Sequence, residues 1–153
     1  MIRFLLVLML LSGSACAQDV AQPELAKEKL TIVTRDGARH DFMVETALTP
    51  AQQTVGLMFR ASIPADGGML FDWGSPKEST MWMRNTIAAL DMVFINQDGT
   101  VRRVAERTVP QSLAIIPSQG PVRATLELAA GTAKRLGIRP GDRVEMASGP
   151  FTR

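Results

Sequence analysis

"LTIVTRDGARHDFMVETA" (residues 30–47) carries the clearest strand pattern in the chain. Leu30 and Ile32 on one side, Phe42 and Val44 on the other, alternate with polar residues about the turn pair Asp36-Gly37. Side chains two positions apart share one face of a strand, and Asp-Gly tolerates the positive φ of a tight turn. The stretch therefore predicts an antiparallel hairpin. His40, the one histidine, lies on its polar side and is expected at the surface, with Asp41 pointing to the opposite face.

Moving toward the C-terminus, "LTPAQQTVGLMFR" (48–60) changes period. Thr49 is a suitable N-cap, Pro50 fits the first helical position, and Gln52 completes a capping box, predicting a short helix over 50–59. Val55, Met58 and Phe59 would share one side of it. Strand patterns return in "GGMLFDW" (67–73), "STMWMRNT" (79–86) and "LDMVFINQDGTVRRVAE" (90–106), the last turning at Asp98-Gly99. "IIPSQGPV" (115–122) reads as a Pro/Gly-punctuated loop. "RATLELAAG" (123–131) sets Ala124, Leu126 and Leu128 against Thr125 and Glu127, as a half-buried strand does. "TAKRLGI" (132–138) gives barely a helical turn, stopped by Gly137, and "RPGDRVEM" (139–146) turns into a closing strand. Many short strands with one or two short helices predict a mainly β chain, a single β-sandwich or barrel-like domain.

The N-terminus carries a different message. Arg3, the apolar run "FLLVLMLL" (4–11) and the small residues of "SGSACAQD" (12–19) have the order of a secretory signal, and the run is too short to span a bilayer. Ala15-Cys16-Ala17 fits small-x-small cleavage after Ala17. The alternative is a lipoprotein anchored at Cys16, although Gly13 stands where that motif normally has an aliphatic residue. The expected organisation is a signal peptide over 1–17, a flexible tether over 18–29, one β-rich domain over 30–148 and a tail over 149–153. The expected location is periplasmic or secreted.

Cleavage after Ala17 would take away the chain's one cysteine, and with it disulfides, thiolate nucleophiles and Cys-based metal sites. The remaining 136 residues are enough for one core without covalent staples. The formal charge is +2 for the whole chain and +1 without Arg3, which gives no case for nucleic-acid binding. No second apolar span follows.

Within the strand-like blocks, Met81 and Met83 flank Trp82. Two thioethers on one strand face could hold Cu(I), a metal that prefers soft ligands. Against a soft-metal carrier, Trp82 would face away, and His40, the remaining candidate ligand, sits in another hairpin. The competing reading makes both methionines core fillers, with Met58, Met69 and Met92. Nucleophilic hydrolysis lacks a thiol and an oriented base. Carboxylate chemistry on envelope polymers stays open through Asp66, Asp72, Asp91 and Glu127, with no spacing that selects a pair. Glycine pairs lack the strand–loop–helix setting of a phosphate cradle.

The polar residues inside the apolar blocks carry more. By alternation Arg84 shares the face of Trp82, and Asn85 that of Met81 and Met83. Either Asn85 and Asp91 brace the 84–91 connection by bonding loop amides, or Arg60, Trp82, Arg84 and Asp91 line a shallow pocket for a small polar or anionic ligand.

"GLMFR" (56–60), "GGMLFDW" (67–73), "MWMRNTIAALDMVFI" (81–95), "DGTV" (98–101), "ATLELAAG" (124–131) and "GIRPGDRV" (137–144) together resemble, in order, the bacterial and archaeal family called domain of unknown function 192. The resemblance covers roughly residues 30–148. It implies a compact, mostly β domain, often exported, and no particular reaction. Arg60, Trp82, Arg84, Asn85 and Asp91 match the family's polar signature, whereas Met81 stands where the family is variable. The expected function is a non-catalytic envelope protein that binds a small ligand or a protein partner near Arg60, Trp82 and Arg84, with no cofactor.

Overall fold

The computed structural model describes residues 20–152. The expected signal peptide and Cys16 lie outside the described residues. Seven strands form one curled sheet: β1 (Lys27–Val33), β2 (Arg39–Ala47), β3 (Gly67–Met81), β4 (Leu90–Ile95), β5 (Val101–Ala105), β6 (Ile116–Ala129) and β7 (Arg143–Met146). Their spatial order is β5-β4-β6-β3-β2-β1-β7. All neighbours are antiparallel except β2 and β3. The sheet curls until its two edges meet: the Val101 N–H donates to the Asp142 carbonyl (2.7 Å), and the Val144 N–H to that of Gly99 (2.8 Å). The expected barrel-like, mainly β domain is thus a half-barrel with two short helices.

The 30–47 hairpin forms as the alternation predicts, with Leu30 paired to Phe42 and Ile32 to His40. Leu30, Ile32, Phe42, Val44, Leu126 and Leu128 belong to the larger core, inside the curl. The other face is also covered. Ala47, Leu57, Met69, Phe71, Met81, Met83, Leu90, Met92 and Phe94 form a second core beneath the helix α1 (Pro50–Val55) and the 82–89 loop. Covering both faces changes β6: Thr125 and Glu127, expected on a solvated side, are buried with Leu126 and Leu128.

Several boundaries differ from the sequence reading. Thr49 caps α1 and Gln52 closes the capping box, but the helix stops at Val55 because Gly56 turns out at φ 50°. The expected loop at 115–122 is instead the bent start of β6: Pro117 and Pro121 sit opposite β3, and the bend falls at Gln119 and Gly120, both with positive φ. The described part of the expected tether is held down. Gln22 donates to the carbonyls of Gln52 (3.1 Å) and Gly56 (2.9 Å), Leu25 packs on the second core, and β1 starts at Lys27. Among the described residues no helix is long and apolar enough to cross a membrane.

Candidate functional site

On β3 the alternating residues Met69, Phe71 and Trp73 point to the second core, where the pleat puts every other side chain on one face. Met69 pairs with Glu127 and Phe71 with Thr125, while Met92 of β4 flanks Glu127 from the other side. A carboxylic acid therefore stands on the central strand between two methionines. Phe71 and Trp73 stack with ring centroids 5.8 Å apart, and the Trp73 indole N–H donates to the Thr125 hydroxyl at 3.3 Å.

Two segments roof this face. Gln53 of α1 donates to the carbonyls of Ala47 (3.1 Å) and Asp72 (2.7 Å), which ties the helix to the sheet. Gly56 lies against Phe71: a Cβ there would come within 2.9 Å of the ring. The second roof is the 82–89 loop. The Phe59 N–H donates to the Asn85 carbonyl (2.8 Å), the Met83 N–H to that of Ser112 (3.0 Å), and the Gln111 N–H to that of Thr86 (3.1 Å).

Between the two roofs is a cleft of about 260 Å³, lined by residues that include Gln53, Phe71, Trp73, Met81, Trp82 and Glu127. Glu127 is the one titratable residue in that lining. Its exposure is 4%, and no hydrogen bond or ion pair reaches its carboxyl from any described residue. Burial, which removes water from the anion without replacing it, pushes this group up to about 8. At neutral pH it is an uncharged acid with a proton to donate.

The sequence-predicted residues do not converge on one surface. Trp82 borders this cleft, 42% exposed, with the Arg84 guanidinium stacked 5.5 Å from its ring centroid on the outside. The two do share a side, although β3 ends at Met81 and they lie on a loop. Asn85 holds φ 54° at the loop's turn, a conformation Asn tolerates, and its carbonyl anchors Phe59.

Asp91 is elsewhere, fully buried, accepting from the backbone N–H groups of Arg107 and Ala133, both at 2.8 Å. It braces the start of helix α2 (Thr132–Leu136) to the loop after β5, not the 84–91 connection. Arg60 forms a two-pronged pair with Glu45 beside a separate, open cleft of about 480 Å³. Burial alone would push Glu45 up, but Arg60, the Leu25 N–H and Lys27 outweigh it and hold the carboxyl below its usual range. The expected single pocket of Arg60, Trp82, Arg84 and Asp91 is therefore corrected to three places, because Glu45 claims Arg60 and two amides claim Asp91.

The other candidates are also accounted for. Met81 and Met83 are buried in the second core, and the Met83 sulfur accepts from the Thr108 hydroxyl at 3.1 Å. Asp72 is paired with Arg123 at 2.8 Å. His40 is half-buried, not at the surface as expected. Sequence reasoning passed over Phe71, Trp73 and the role of Glu127. The available signal was a lone Glu in "ATLELAA", where its three closest neighbours on either side are apolar or small.

A model of the family DUF192, described as an uncharacterized ACR, matches residues 31–146. Two solved structures are similar in both fold and sequence. A protein of Sinorhizobium meliloti 1021, described as a candidate transcription regulator, has a TM-score of 0.80 at 50% identity, covering 82% of this chain and 98% of its own. A protein of unknown function from Novosphingobium aromaticivorans DSM 12444 has a TM-score of 0.76 at 39% identity, covering 87% and 99%. No protein of curated function matches the chain.

Proposed function

The chain belongs to the DUF192 family, and from that premise we propose that it is a non-catalytic binding protein, acting outside the cytoplasm, that takes a small molecule into the cleft over Glu127. One observation carries this reading: a buried carboxyl group with no partner among the described residues faces a cleft walled by aromatic side chains. Buried polar groups are normally satisfied, and leaving one unmade costs about 1–3 kcal/mol. An unmet donor in a concave apolar site is what a ligand completes. The volume, about 260 Å³, suits a ligand smaller than a typical drug.

Export rests on Arg3 and the apolar run at 4–11. The anionic ligand suggested by Arg60 and Arg84 is not retained, since neither arginine lines this cleft. The regulator description of the Sinorhizobium protein stays with that protein, because the helices here span only six and five residues, short for reading a groove.

Two other readings keep an observation each. An enzyme could use Glu127 as a general acid, since its pKa is close to neutral. It would need a second group, and Asp72 and Asp91 are both engaged. A protein partner is favoured by Ile87, Val109, Leu113 and Ile115, exposed on the two loops that hold Trp82. A fragment screen followed by amide and indole NMR shifts tests the proposal. Binders should perturb Trp73, Trp82 and Glu127, and Trp82→Ala should weaken the response several-fold with folding intact. Binders that map only to other surfaces would overturn it.

A further inference from the structure

Resting on that reading of the cleft, we infer that its ligand is a small organic cation, an alkylammonium or quaternary ammonium group seated against Trp73 and Trp82 with the Glu127 carboxylate as its counter-ion.

Charge is the first ground. Among the described residues no Lys, Arg or His lines the cleft, and Glu127 is its one titratable residue. The nearest cations, Lys77 of β3 and Arg84 of the 82–89 loop, lie over the tryptophan rings and outside the lining, and the neighbours of Glu127 in register are Met69 and Met92. An anion entering would meet a carboxyl group and no cation in the lining. A cation would supply the one partner that makes a buried carboxylate favourable.

The walls favour a cation as well. Aromatic faces carry negative charge density and attract cations within about 6 Å of the ring centre. Both tryptophans already do so here with the chain's own cations. The Lys77 ammonium lies 4.5 Å from the Trp73 centroid and the Arg84 guanidinium 5.5 Å from that of Trp82.

The proton on Glu127 sets the pH dependence. The empty cleft keeps Glu127 protonated at neutral pH, so a permanent cation must displace that proton as it binds. Cation affinity therefore rises with pH until the free carboxyl is ionised. A neutral ligand accepting a hydrogen bond from the protonated acid would show the reverse.

The chain has two tryptophans and both line the cleft, so intrinsic fluorescence reads it directly. The full chain is titrated with tetramethylammonium, with 3,3-dimethylbutan-1-ol as a neutral probe of similar bulk, and with butyrate, at several pH values. We expect saturable binding of tetramethylammonium, tightening by about tenfold per pH unit up to the Glu127 pKa, with weak or absent binding of the others. Glu127→Gln, which keeps the shape of the protonated acid, should weaken the cation at least tenfold at high pH and remove its pH dependence. If the alcohol binds as well as or better than the cation, or Glu127→Gln leaves cation binding unchanged, the cation inference fails while the cleft remains a binding site. If none of the three probes binds and the fragment screen also finds nothing there, both fail.

Discussion

Glu127 on β6 stands directly opposite Met69 on β3, so an ionisable group shares its pleat with a thioether and has no polar partner among the described residues. Its carboxyl titrates near 4.5 in the unfolded chain and about 8 in the folded one. Between those values only the folded chain keeps the proton, so folding stability falls as pH rises, by about 1.4 kcal/mol per unit at full effect. Below the lower value the effect is absent, and above the upper one it is complete. Glu127→Gln should flatten this decline and be the more stable variant at pH 9, by urea unfolding. A wild-type curve level from pH 5 to 9 would contradict the account. Asp36, Asp41, Asp98 and Glu45, all held below their usual range, act oppositely: their contribution is lost as the solution becomes acidic.

Asp91 should behave as a brace. Its two oxygens each accept one backbone amide at zero exposure, and Asn can accept only one while turning an N–H toward the other. Asp91→Asn should lower stability by about 2–3 kcal/mol, seen as a clear drop in Tm, with ligand affinity per folded molecule unchanged. An unaltered Tm would remove Asp91 from the structural role assigned to it.

Arg60→Ala leaves the Glu45 carboxylate buried with the Leu25 N–H as its remaining hydrogen bond. We expect a loss of roughly 2–4 kcal/mol, partly restored by adding Glu45→Gln, which removes the stranded charge. Equal stability of Arg60→Ala and wild type would show that the pair contributes nothing.

Trp82 and Arg84 should separate from both. Trp82 is 42% exposed on a loop that backbone hydrogen bonds hold independently of the indole. Trp82→Ala should change stability by no more than about 1 kcal/mol while weakening tetramethylammonium several-fold. Arg84→Ala should leave stability alone and leave cation binding unchanged or tighter, since its guanidinium shares the ring. A large fall in Tm for Trp82→Ala would make the residue a packing element and count against the cleft.

Much of this was legible from residues 30–47 outward, because hairpins and caps are written in local chemistry. Asp36-Gly37, Thr49-Pro50 and Gly137 each act within a few residues of themselves. The site was less legible because it depends on distant pairings. Nothing local says that α1 and the 82–89 loop cover the second sheet face, and only that cover turns Glu127 from a solvated strand residue into a buried acid. Arg60 and Asp91 misled for the same reason: their partners, Glu45 and the amides of Arg107 and Ala133, are 15 to 42 positions away. Trp82 was found because a large aromatic beside Arg in a turn-rich stretch is conspicuous without any tertiary information.

Glu127 is an uncharged acid awaiting a partner, and side-chain carboxyl carbon NMR measures that state directly. In ¹³C-labelled protein titrated from pH 3 to 10, one carboxyl resonance, missing in Glu127→Gln, should shift with a midpoint near 8. Saturating tetramethylammonium should move that midpoint down toward the ordinary carboxylate range. A Glu127 resonance that titrates near 4.5 in the free protein would contradict the account.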